Sequence, residues 1–265
     1  MNPEMLAELE ALLAHARALG VAGMAVFARI GAAFALMPAF GEQVVPRRVR
    51  LALALAMTLI VTPAVAADVA LPEGSPIALA AFFGTEIAIG LAMAIGLRLL
   101  VMALQIAGTM AAQATSLAQL FGGAGIDPQP AMSQVLVMGG LALLVLAGWP
   151  EKLAVFLILS YELLPAGQWP DAGAMAEWGV ARAAHAFALA FMLAAPFLIG
   201  ASLYNLALGA INRAMPQLMV AFIGSPAVTF GGLALLMLSA PVMLLIWLDA
   251  VDRFLDAPGA LQTGP

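Results

Sequence analysis

The sequence predicts an all-α membrane protein with about five to seven apolar, partly kinked helices. Three observations carry this. Of 265 residues, 64% are hydrophobic and only 9% charged, whereas soluble domains carry about 25% charged residues. The mean hydropathy is +1.05. Apolar runs approaching the about 20 residues needed to cross a bilayer recur along the chain, several interrupted by a proline or a lone charge. The apolar surface must therefore face lipid or other helices. The expected organisation is a single polytopic membrane domain over 1–265, with an N-terminal amphipathic segment at 1–17 and a flexible tail at 257–265.

Residues 1–17 place Leu6, Leu9, Leu12 and Leu13 at helical spacing, which predicts a short amphipathic helix. Glu4, Glu8 and Glu10 stand where a signal peptide would have a basic region. A membrane segment follows over 18–37, carrying Arg29, and a break is expected at Pro38 and Gly41. Pro46-Arg47-Arg48-Val49-Arg50 is the densest cationic cluster. It reads first as a positive-inside loop, and second as a surface for acidic partners or lipid headgroups. The apolar run 51–67 is ended by Pro63, and an acidic, proline-rich loop follows.

The next apolar run, 77–104, contains Glu86 and Arg98. Twelve residues apart, they fall on different faces of a helix. Each therefore needs a partner on another helix or in another chain. Residues 105–125 change character: QIAGTMAAQATSLAQLFGGAG is small, uncharged and mildly polar. A tightly packed helix using small residues and a pore-facing segment with a Gly-rich end both fit it. Asp127 and Pro128 read as an N-cap and first helical position, opening a helix to about Gly148. Trp149-Pro150 breaks the chain before a helix over 153–164, giving either an antiparallel pair or a kinked hairpin. After a polar loop, a long apolar helix with Glu177, Arg182 and His185 near its start reaches about Ile211, interrupted at Pro196.

The stretch INRAMPQLMVAFIGSP at 211–226 is the most unusual in the chain. Arg213 is the only formal charge between Arg182 and Asp249, and a guanidinium among apolar helices is a functional-site hypothesis by default. Pro216 interrupts the helix that carries Asn212 and Arg213, and Gly224-Ser225-Pro226 predicts a second break. A final helix over 227–251 is expected to break or kink at Pro241.

Several chemistries find no support. With no cysteine, disulfides, thiolate catalysis and Cys-ligated zinc are excluded. His15 and His185 lack metal-ligand spacing, no phosphate-binding loop is present, and no basic cluster suggests nucleic acid. No enzyme activity and no cofactor are expected.

Two blocks, FARIGAAFALMPAFGEQVVPRRVRLALALAMTL at 27–59 and INRAMPQLMVAFIGSP at 211–226, resemble the FliR family, integral membrane proteins of the flagellar type III export apparatus. That family is related to the T component of virulence injectisomes. The length, the helix order, the small polar segment and the Asp127-Pro128 start also agree. The resemblance implies an inner-membrane, multi-pass protein of the flagellar basal body. Its helical hairpins would wind with FliP-like and FliQ-like subunits into a helical gate for unfolded flagellar subunits, beside FlhB-like and FlhA-like proteins and membrane lipid. It implies a channel plug at about Gln113, Ser116, Leu117, Leu120, Phe121, Gly122 and Gly123. Arg29, Glu42, Glu86, Arg98, Asn212, Arg213, Pro216 and Gln217 become candidates for packing between subunits. The alternatives are the injectisome version of the same part, or a secondary transporter using Glu86, Arg98 and Arg213 at broken helices.

Overall fold

The computed structural model describes residues 3–42, 45–72, 75–115, 131–215 and 220–259. Among the described residues there are seven helices and no strand: α1 (Pro3–Leu36), α2 (Arg47–Val65), α3 (Pro76–Thr115), α4 (Ala131–Leu146), α5 (Trp149–Leu163), α6 (Ala172–Ala214) and α7 (Val220–Asp256). Five of these (α1, α2, α3, α6 and α7) are long and apolar enough to cross a membrane, and α4 with α5 make a sixth if the broken pair is one span. The all-α membrane class is as the sequence predicts.

The helix count matches the expectation, but the helices are longer than the punctuation of the sequence suggested. No break separates residues 1–17 from the segment after them, since α1 runs through both, nor does one separate 77–104 from Gln105. Pro63 lies inside α2 and Pro196 inside α6, while α7 continues through Gly224-Ser225-Pro226 and Pro241. A proline deletes one backbone hydrogen bond, but in apolar surroundings the carbonyl it frees has no water to turn to. Keeping the remaining helical bonds is then the least costly state, so these prolines sit within helices and do not end them. The breaks that do hold are α1 ending at Leu36 before Pro38, Ala147-Gly148 turning the chain into α5, and α6 ending at Ala214. Gly148 sits at φ 82°, a left-handed conformation that glycine adopts without penalty. The Asp127-Pro128 helix start lies outside the described residues.

The chain gathers into two compact units. The first comprises residues 1–98, 148–180 and 254–265; the second comprises 99–147 and 181–253. In the first, α1 packs antiparallel to α2, with Gly23 facing the Thr62 side chain, which a methyl group at Gly23 would meet at ordinary contact, 3.7 Å. The face of α1 turned inward is Ala22, Ala25, Val26, Ile30, Ala33 and Phe34, all buried. Thr58 and Thr62 point their hydroxyls back to the carbonyls of Ala54 and Thr58, both at 2.7 Å, so neither demands a partner in the apolar interior. The Trp178 indole N–H donates to the Pro258 carbonyl at 2.8 Å, fastening the start of α6 to the end of α7.

The second unit is held by small residues. A methyl group at Gly108 would overlap the Ser133 backbone, so α3 and α4 meet main chain to main chain. Ser133 Oγ donates to the Gln105 carbonyl at 3.1 Å, and the fully buried Trp247 donates from Nε1 to the Leu100 carbonyl at 2.7 Å. Residues 105–115 therefore form the packed end of α3 rather than a separate element. Much of the rest of this unit turns apolar side chains outward, including Leu203 and Leu206 on α6 and Phe230, Met237 and Leu238 on α7.

Candidate functional site

Arg29 lies in the middle of the buried face of α1, with none of its surface exposed. A guanidinium there is tolerable only if its charge and all five N–H groups are satisfied. The first unit supplies every one. Arg29 Nε donates to Glu86 Oε2 at 2.8 Å, and Nη2 donates to Glu86 Oε1 at 3.2 Å and to the Leu164 carbonyl at 2.9 Å. Nη1 donates to the Ser160 carbonyl at 3.2 Å and to Ser160 Oγ at 3.0 Å. The guanidinium carbon lies 3.7 Å from the centre of the Tyr161 ring, a cation–π contact.

Glu86, also fully buried, is satisfied with equal completeness. Besides the two bonds from Arg29, its Oε2 accepts from the Tyr161 hydroxyl at 3.3 Å and its Oε1 from the Gly167 N–H at 3.0 Å. One sealed network thus ties α1, α3, α5 and the loop after α5. Its geometry depends on spacing along α3, where Phe82, Glu86 and Gly90 recur every four residues and so share one face. A methyl group at Gly90 would overlap the Arg29 carbonyl, so glycine is what lets α1 come close enough for the ion pair. Gly167 sits at φ 71°, and a side chain there would strike the Phe82 ring. Two glycines and an aromatic ring fix the carboxylate from both sides.

A second ion pair organises the turn after α1. Arg98, on α3, pairs through Nη1 with Glu42 Oε1, both side chains about one-third exposed. Arg50 Nε donates to the Phe40 carbonyl and Nη2 to the Glu42 carbonyl, each at 3.0 Å. Phe40 stacks on Phe34 with ring centres 5.0 Å apart, and Ala39 takes φ 67°. The expected break at Pro38 and Gly41 is thus a fastened corner.

The partners that Glu86 and Arg98 require lie on other elements of this same chain, Arg29 and Glu42. Asn212 and Arg213 are exposed on the last turn of α6, beside a shallow groove that includes Asn205, Leu206 and Gly209. Gln113 is exposed near the end of α3. Ser116, Leu117, Leu120, Phe121, Gly122, Gly123, Pro216 and Gln217 fall outside the described residues. Sequence reasoning did not single out Gly90, Ser160, Tyr161 or Gly167. The available signal was the pair of opposite charges at 29 and 86 within two apolar runs, each of which had to be neutralised somewhere.

The Arg29–Glu86 network is saturated with hydrogen bonds. Its carboxylate already accepts four hydrogen bonds and its guanidinium has no spare donor, so neither has a free position for a solute. Two of the three residues a solute carrier would use, Glu86 and Arg98, sit in the unbroken α3.

Helices long and apolar enough to span, a buried ion pair that braces them and outward apolar faces together define a multi-pass helical membrane protein. Residues 21–254 match the family described as bacterial export proteins, family 1. The chain is 32% identical over 233 residues to the flagellar biosynthetic protein FliR of Caulobacter vibrioides, covering 87% of this chain and 93% of that protein. It is 28% identical to the FliR proteins of Aquifex aeolicus and Escherichia coli, covering 78% and 81% of this chain and 80% and 82% of theirs. The chain belongs to the FliR family of the flagellar type III export apparatus.

Proposed function

We propose that this protein is a channel-building subunit of the flagellar type III export gate in the bacterial inner membrane, passing unfolded flagellar subunits. The carrying observation is that the family match runs from residue 21 to residue 254, through all seven helices. The relatives compared are flagellar by name, which favours a flagellar over an injectisome role.

Helix lengths support an assembly that extends beyond an ordinary bilayer. α3 has 40 residues and α6 has 43. At 1.5 Å per residue these reach about 60–65 Å, roughly twice the thickness of the hydrocarbon core. The exposed apolar side chains of α6 and α7 then suit burial against FliP-like and FliQ-like helices, and FlhB-like and FlhA-like proteins would complete the surroundings. Asn212 and Arg213, exposed on the last turn of α6, are placed to bond carbonyls or a carboxylate of a neighbouring subunit. Pro216 and Gln217 continue that contact in this proposal.

Within the gate, Gln113, Ser116, Leu117, Leu120, Phe121, Gly122 and Gly123 form the plug. The residue types suit it: apolar stoppers at 117, 120 and 121, then two glycines that permit rearrangement. Deleting residues 116–121 is expected to make membranes carrying the assembled gate leaky to small solutes. Conductance equal to that of the intact gate would remove the plug from this account.

A further inference from the structure

We propose that a groove between α1, α2 and α3 in the first unit binds one anionic phospholipid of the surrounding bilayer. This goes beyond the export role and does not depend on it. The groove has a volume of about 460 Å³ and is walled by Phe27, Gly31, Ala32, Leu51, Ala54 and Ile87, with Arg47 and Arg50 also lining it. Its size is that of a small-molecule site, about 300–1,000 Å³. A cleft that is apolar along its length and cationic at its arginine end matches a molecule with an acyl chain and an anionic head.

Depth supports the same occupant. α2 is long and apolar enough to cross a membrane and begins at Arg47; in a helix that spans, arginines at such an end stand at headgroup level. Because α1 and α2 are antiparallel, Phe34 lies near that level and Phe27 deeper; the seven-residue step from one to the other makes a wall about 10 Å long. The arginines divide the work. Arg50 has committed Nε and Nη2 to the Phe40 and Glu42 carbonyls, which fixes its position. Arg47 and Arg48 are exposed, and Arg47, which also lines the groove, is the one aimed at a phosphate. Basic pockets between membrane helices hold lipid phosphates by this chemistry. An acidic helix of a partner protein could meet the arginines, but it has no use for the apolar walls of Phe27, Leu51 and Ile87 below them.

The test is native mass spectrometry of the full chain, purified in detergent and titrated with phosphatidylglycerol or phosphatidylcholine. The expected result is retention of one phosphatidylglycerol and much weaker retention of phosphatidylcholine. Arg47→Gln should weaken phosphatidylglycerol retention by about fivefold, the effect of one arginine near a lipid surface. Gly31→Leu fills the slot with the arginines intact and should weaken retention of both lipids. Gly31→Ala guards against misfolding, because an added methyl meets only the Phe27 ring at ordinary contact, 3.7 Å. It should melt as the parent does and still bind less lipid. Equal retention of the two lipids by the parent protein would overturn the proposal. So would full retention by Gly31→Leu, which would mean surface electrostatics alone, or crosslinking from position 51 to an acidic partner helix instead of lipid.

Discussion

Arg29→Ala is expected to destabilise the protein by about 3–5 kcal/mol, the usual consequence of leaving one member of a buried ion pair without its partner. The substitution removes five hydrogen bonds at once and leaves Glu86 with only Tyr161 and Gly167 as donors, in a site with no exposure to water. The carbonyls of Ser160 and Leu164 lose the same donor, so α1, α3 and α5 all loosen. In a thermal melt of the detergent-solubilised protein the midpoint should fall by on the order of 10 °C. Arg29→Lys should fall nearly as far, because three rotatable donors on a point charge cannot reproduce a five-donor planar fork stacked on Tyr161. The informative comparison is the double variant Arg29→Met with Glu86→Gln. Removing both charges relieves the unpaired carboxylate and should recover much of the loss, a coupling that two independent surface residues would not show. A melting midpoint for Arg29→Ala within a degree of the parent would mean that the network does not brace the first unit.

Arg213→Ala is expected to behave in the opposite manner, leaving the single chain intact and disabling the assembly. Arg213 is exposed on the last turn of α6, where a basic residue does no more for its own helix than complement the dipole. That contribution is about 0.3–1 kcal/mol, so the variant chain should melt close to the parent. If the guanidinium instead bonds a neighbouring subunit in a dry interface, losing it should abolish swimming and sharply reduce the yield of extracted complex. Normal swimming with an intact complex would discard that role. Arg29 and Arg213 thus separate the two uses of charge in this chain, one spent internally and one held outward.

What could be read from the sequence follows from which interactions are local. The membrane class and the need of Glu86 and Arg98 for partners elsewhere are properties of composition and helical period, and both hold in the structure. The identity of those partners was not legible, because Arg29 and Glu86 are 57 residues apart and Arg98 and Glu42 are 56 apart. Nothing local says that α1 crosses α3 at Gly90. The breaks were over-read at Pro63, Pro196 and Gly224-Ser225-Pro226, since proline ends helices in water more readily than in lipid or protein. The breaks at Pro38 and before Trp149 were legible because glycines at 41 and 148 accompany the proline or aromatic residue there.

In the function proposed above, this chain works as one subunit of a hetero-oligomeric export gate. Native mass spectrometry of the complex extracted gently from its own membranes tests it most directly. The expected result is a particle in which this protein is bound to FliP-like and FliQ-like subunits, with few free copies. A stable solitary chain, or a homo-oligomer that takes up solute when placed in liposomes, would contradict it.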